Sequence, residues 1–138
     1  MWPGKKRILV VDDEPDITLT LHTILQEVGF EVAFFNNPLL VLRAFKPHYY
    51  DLVILYIKMP EMDGFELYQQ LKKKDNHMKV CFLTAVTEFS DYKQYKKDIY
   101  PKLHERYFIS KPVSKDELIR RVNEMLTDNS YHLTNTNT

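Results

Sequence analysis

The sequence predicts an α/β chain built on an open parallel sheet covered on both faces by helices. Three observations carry that reading. Short, largely β-branched apolar runs alternate with stretches whose apolar residues recur at helical spacing. The middle run, Leu52 to Ile57, is apolar at odd and even positions alike, as in a strand buried on both faces. Acidic, hydroxyl and basic residues follow the runs at their carboxyl ends, where such sheets place ligands.

The elements follow in order. Ile8 to Val11 is a first strand, stopped by acidic residues. Ile17, Leu21, Ile24, Leu25 and Val28 fall on one helical face, with Pro15 suited to the first position and Gly29 to the stop. Val32 to Phe35 reads as a second strand. Asn37 and Pro38 can cap and start a short second helix through Leu39, Leu42 and Phe45, closed by Pro47. Leu52 to Ile57 is the third strand. Gly64 through Lys74 is a third helix with Phe65, Tyr68 and Leu71 inward. Val80 to Leu83 is the fourth strand. Glu88 to about Lys97 is a helix with Phe89, Tyr92 and Tyr95 on one side. Tyr107 to Ile109 is a short fifth strand leading to Lys111 and Pro112. In the last helix Ser114 and Glu117 form a capping box, and Leu118, Val122, Met125 and Leu126 make the apolar stripe.

Composition narrows the function classes. A chain of 138 residues suits one domain whose core needs no disulfide or metal. The single cysteine, Cys81, excludes an internal disulfide and a cysteine-rich zinc site, and its mid-strand place reads as an inert buried thiol. Nineteen basic residues balance nineteen acidic ones, which argues against direct nucleic-acid binding. No apolar run reaches the ~18 residues of a membrane span, and the run after the basic N-terminus is too short for a signal peptide. The expectation is a cytoplasmic protein with an arm at 1–5, one domain at 6–126 and a polar flexible tail at 127–138. His22, His48, His77, His104 and His132 are scattered and show no ligand spacing.

The strand ends assemble a rim: Asp12, Asp13 and Glu14 after the first, Tyr56 to Pro60 at the third, Thr84 and Ala85 after the fourth, and Lys111 after the fifth. Carboxylate oxygens select hard cations such as magnesium. A lysine and a hydroxyl on the same rim can hold phosphoryl oxygens.

These residues carry a resemblance. Ile8 through Glu14, Asp51 through Leu55, Lys58 through Gly64, Leu83-Thr84-Ala85 and Lys111-Pro112 together resemble a response-regulator receiver domain of two-component signalling, over about Lys6 to Leu126. The resemblance implies a flavodoxin-like sheet of order 2-1-3-4-5. It implies magnesium held by Asp13, with Asp12 nearby, by an acceptor aspartate at position 56, and by the backbone carbonyl of Lys58. It assigns Thr84 as the hydroxyl that swings toward the phosphoryl group, Lys111 as its ionic partner and Phe108 as the aromatic switch. A histidine kinase or phosphotransfer protein is the implied donor, with an unidentified output protein downstream. The output surface implied is the fourth helix, fifth strand and fifth helix, which could also pair two copies as a homodimer.

The chain departs from that pattern at Tyr56. A phenol, with a reference pKa of ~10, carries no charge at neutral pH and cannot accept an aspartyl phosphate. Magnesium binding is therefore expected to be weak or absent. With no phosphoryl group to hold, Lys111 should turn to Asp12 or Asp13, and the Tyr56 ring, at the mouth of the pocket, should bias Thr84 and Phe108 to one conformer. The sequence leaves two accounts open: a natural phosphorylation-independent receiver, or an active receiver carrying an engineered Asp-to-Tyr change. The segment from Asp98 to Arg106 also departs from the family pattern. The main expectation is a single-domain receiver, not an enzyme, acting through protein partners. A magnesium-dependent phosphotransfer enzyme sharing the acidic rim is the rival, and it lacks a carboxylate nucleophile at 56. A flavodoxin is a second rival, disfavoured because Asp12, Asp13 and Glu14 would repel a flavin phosphate. The aromatics Phe89, Tyr92, Tyr95, Tyr100, Tyr107 and Phe108 suit either core packing or a protein interface.

Overall fold

The computed structural model describes residues 4–85 and 107–128. Its elements are β1 (Arg7–Val11), α1 (Pro15–Glu27), β2 (Glu31–Phe35), α2 (Pro38–Ala44), β3 (Leu52–Tyr56), α3 (Gly64–Lys74), β4 (Lys79–Ala85), β5 (Phe108–Lys111) and α4 (Lys115–Thr127). The helix expected at 88–97 and most of the expected tail lie outside the described residues. All five strands are parallel, in the order β2-β1-β3-β4-β5. Right-handed crossovers place α1, which leads back from β1 to β2, on one face and α2 and α3 on the other. The helix contacts agree, since α1 meets α4 and α2 meets α3.

The core is the middle of the sheet. Ile8 to Val11 and Leu52 to Leu55 are fully buried, as are Val80 to Leu83. This is the two-faced burial that the continuous apolar runs demand. Phe82 anchors the α3 side, with its ring centroid 4.7 Å from Phe65 and 5.9 Å from Tyr68. Cys81 is fully enclosed, and burial pushes its thiol up to about 12.

Several local expectations need correction. Asn37 caps α2 through the Leu39 N–H; Pro38 and Val41 are its buried residues and Phe45 joins the core just after it, while the Leu39 side chain is exposed. Val28 ends the α1 stripe outside the core, at the turn where Gly29 takes a φ of 105°. Phe34 lies on the edge strand and is also exposed, its ring edge-on to His22. Ser114 does cap α4 through the Glu117 N–H, but the Glu117 carboxylate turns to Arg120 and Arg121 instead of closing a box. The reciprocal capping box is at α3, between Asp63 and Glu66. Tyr107 and Phe108 are buried, so core packing accounts for the described part of the aromatic cluster.

Contacts at both ends of the sheet hold helices against it. Lys79, at the start of β4, donates from Nζ to the carbonyls of Met125, Leu126 and Asp128 and so satisfies the open end of α4. At the opposite end of the sheet, Gly64 lets α3 begin directly against β3. Its N–H donates to the Ile57 carbonyl (2.8 Å), and a Cβ there would lie 2.5 Å from the Tyr56 carbonyl oxygen. Backbone atoms cannot yield to that contact. Gly64→Ala is therefore expected to cost about 1–3 kcal/mol, the usual range for overpacking, read as a lower urea midpoint with an unchanged slope.

Candidate functional site

The register explains why four strand ends meet. Val11 pairs with Leu55, Leu55 with Phe82, and Phe82 with Phe108, which makes one row across the sheet. Asp12 and Tyr56 lie one residue past that row, Thr84 two and Lys111 three. Thr84 and Lys111 were expected just beyond their strands. Both instead lie inside them, because β4 and β5 stay paired to Ala85 and Lys111.

Asp12 is fully buried and held from several sides. Its Oδ1 accepts from the Glu14 N–H at 3.0 Å. Its carbonyl accepts from Asn36 Nδ2 at 2.8 Å, and the same amide nitrogen donates to Thr18 Oγ1 at 2.9 Å. The Thr18 hydroxyl in turn donates to the Pro15 carbonyl. Burial pushes the Asp12 carboxyl above the usual carboxylate range, against the opposing pull of Lys111 and the Glu14 N–H.

Lys111 closes the rim. Its ammonium lies 2.8 Å from Asp12 Oδ2 and 2.9 Å from Glu14 Oε1. The contact with Glu14 is an aligned hydrogen bond, whereas the one with Asp12 is a charge contact. The same nitrogen sits 3.4 Å from the centroid of the Tyr56 ring, a cation–π contact. The expected turn of Lys111 toward the paired acids is thus found at Asp12, with Glu14 in place of Asp13. Tyr56 is not at the mouth of a pocket, since its residue is only 8% exposed and its face is covered by the ammonium.

The remaining residues are placed as follows. Thr84 is fully buried, and its hydroxyl donates to the Ala85 carbonyl at 3.3 Å. Phe108 is buried, its ring 5.7 Å from Phe82 and 6.3 Å from Phe65, while its carbonyl accepts from Arg121 Nη2. Lys58 lies in the loop after β3, following the buried Ile57, with an exposed side chain. The Lys111–Pro112 peptide is cis.

The donor atoms suit a hard cation in kind. Asp13 Oδ1 is buried with no hydrogen-bond partner, and the oxygens of Asp12, Asp13 and the Lys58 carbonyl are the ligand type that magnesium takes. The charge suits it less well, because Lys111 already sits on Asp12. Sequence reasoning assigned no role to Asn36 and Thr18 and no ion pair to Glu14. The available signals were a polar residue directly after the second strand and a third acid in the run after the first.

Lys111→Met would leave a fully buried carboxylate without its cation, and breaking such a pair costs about 3 kcal/mol or more. The expected loss at pH 7 is of that order. Because the folded-state pKa of Asp12 is raised, the folded protein takes up that proton before the unfolded chain does. The loss should therefore shrink as pH falls through the raised value, which urea unfolding at pH 7 and pH 5 in magnesium-free buffer would show.

The comparisons with known proteins agree with this geometry. The family model for the response regulator receiver domain matches residues 8–123. A probable transcriptional regulator of Pyropia yezoensis is 34% identical over 122 residues, which are 88% of this chain and 48% of the relative. The chain thus spans about half the length of that curated relative. Among solved structures, a CheY-like receiver domain protein from Methanospirillum hungatei aligns with a TM-score of 0.73 at 25% identity, covering 92% of this chain and 98% of its own. The response regulator TrrA of Thermotoga maritima, solved in complex with magnesium and beryllium fluoride, is 35% identical with a TM-score of 0.67, covering 88% of this chain and 99% of its own. With a parallel sheet in the order 2-1-3-4-5, an acidic rim and a family match over most of its length, the chain belongs to the response regulator receiver domains of two-component signalling.

Proposed function

We propose that this receiver signals through protein contacts with its pocket held in one state, without aspartyl phosphorylation, because Tyr56 stands where the acceptor aspartate belongs. One observation carries the reading: the Lys111 ammonium is stacked on the Tyr56 ring and engaged by Asp12 and Glu14. A cation that would otherwise pair with an incoming phosphoryl group is already neutralised and covered. To accept an anion, the chain would have to separate a buried ion pair and move an aromatic ring. A ligand shifts such an equilibrium only by its differential affinity for the two states. The buried positions of Thr84 and Phe108 are consistent with a single held conformer.

In this proposal Asp12, Asp13 and the Lys58 carbonyl would hold magnesium weakly, since position 56 supplies no carboxylate. Bound magnesium would supply positive charge that offsets phosphoryl oxygens. The upstream partner is a histidine kinase or phosphotransfer protein, the downstream partner is an unidentified output protein, and the chain itself performs no catalysis. The unit proposed is residues 6–126, with 1–5 as an arm and 127–138 as a tail, in the cytoplasm and without direct contact to nucleic acid or membrane. A homodimer would use the surface that includes β5 and α4; the helix expected to complete that surface lies outside the described residues. The second reading, an otherwise competent receiver altered at one position, has its support in the unpartnered buried oxygen of Asp13.

The test compares the chain with Tyr56→Asp. Beryllium fluoride with magnesium should neither bind the unmodified chain nor change its oligomeric state. Tyr56→Asp should restore binding and raise magnesium affinity about tenfold or more, read by calorimetry. Analogue binding to the unmodified chain would refute the held-pocket reading. An unresponsive Tyr56→Asp variant would reject the competent-receiver account and leave a dedicated binding module.

A further inference from the structure

At the opposite end of the sheet, the structure brings together residues that show no ligand spacing in the sequence. His48 lies in the connection entering β3, and Asp75 and His77 lie in the connection entering β4. Because β3 and β4 are neighbours, the two connections are adjacent. One ligand-capable atom from each of His48, Asp75 and His77 lies within 4.8 Å of the others, and among the described residues this is the group of metal-ligating side chains that converges.

We propose that His48, Asp75 and His77 form a binding site for a borderline divalent transition cation, with zinc as its occupant, separate from the acidic rim. The ligand chemistry decides the metal. Two imidazoles and one carboxylate suit zinc and poorly suit magnesium, which prefers oxygen donors and keeps its waters. Three protein ligands leave a fourth tetrahedral position open for water or an incoming donor.

The carboxylate is already fixed in place. Asp75 is buried, its Oδ2 accepts from the His48 N–H at 2.7 Å, and its Oδ1 accepts from the His77 N–H at 2.9 Å. The backbones of the two histidines therefore orient the carboxylate that their side chains would join. A carboxylate has roughly four acceptor positions, so lone pairs remain for a metal. The hydrogen bonds play the supporting part that outer partners play around metal ligands.

The imidazoles can close on it. His48 Nδ1 is 3.7 Å from Asp75 Oδ1, and the His48 side chain is 70% exposed. Donor atoms on a tetrahedral zinc stand about 3.3 Å apart, given bonds of about 2.0 Å. The three donor atoms already lie within 4.8 Å of one another, and both imidazoles are on exposed residues. The hollow at this end, about 400 Å³, is also lined by Lys6, Asp51 and Lys79. The Lys79 ammonium is taken up by three carbonyls of the α4 end, and the Asp51 carboxylate accepts from the Arg7 N–H.

The test is calorimetric titration of zinc into the untagged full chain, beside His77→Ala and the double variant His48→Asn with His77→Ala. Asparagine suits the left-handed backbone at His48, where φ is 62°. Both substitutions keep the N–H donors that hold Asp75. The expected result is one equivalent of zinc bound, a rise in Tm with zinc concentration, affinity at least tenfold weaker in His77→Ala, and no site in the double variant. Asp12→Asn with Asp13→Asn should leave zinc binding unchanged. Absence of zinc binding in the unmodified chain would overturn the proposal. So would equal affinity in His77→Ala, which would place the metal away from this cluster; that single variant decides the matter even if the double variant fails to fold.

Discussion

Asp12 is fully buried at the end of a central strand, with Asp13 and Glu14 following it in sequence. A carboxylate in that position loses its hydration, and its raised pKa reflects that loss. The ammonium of Lys111 offsets the cost at a distance of 2.8 Å, and the same nitrogen also meets Glu14 and the Tyr56 face. Three strand ends are thereby joined through one cation. Ring, acids and ammonium form a single electrostatic unit, so none of these residues can be altered without changing the surroundings of the others.

The unit can exist because the sheet is buried on both faces. Parallel strands enclosed by helices bring their carboxyl ends to one edge, and the row from Val11 through Leu55 and Phe82 to Phe108 sets the relative depth of each side chain. Lys111 lies furthest along and has the reach to turn back over Tyr56. Gly64 removes the one Cβ that would press on the Tyr56 carbonyl, which keeps α3 close and the end of β3 in place.

The two ends of the same sheet offer different chemistry. The carboxyl end carries oxygen donors with a lysine among them, a pattern for hard cations and phosphoryl oxygens. The amino end carries two imidazoles around a fixed carboxylate. Both arise from the parallel sheet, which brings residues distant in sequence to one edge: 27 residues apart for His48 and Asp75, beside the neighbouring β3 and β4, and 97 for Glu14 and Lys111, whose side chains meet across the end of β3.

The fold class, the order of the strands along the chain, and the acidic, hydroxyl and basic residues of the rim are legible in the sequence. Those features depend on local periodicity and on the rule that ligand residues follow strands. Continuous apolar runs at 8–11 and 52–57 left no other place for the central strands. Which acids meet Lys111, the burial of the Tyr56 ring beneath an ammonium, and the exposure of Leu39 and Phe34 emerge only on folding. So do the support of Asp12 by Asn36 and Thr18 and the convergence of His48 and His77 on Asp75. The physical reason is that each of these depends on register and on the packing of distant connections, which a one-dimensional pattern of apolar and polar residues does not encode.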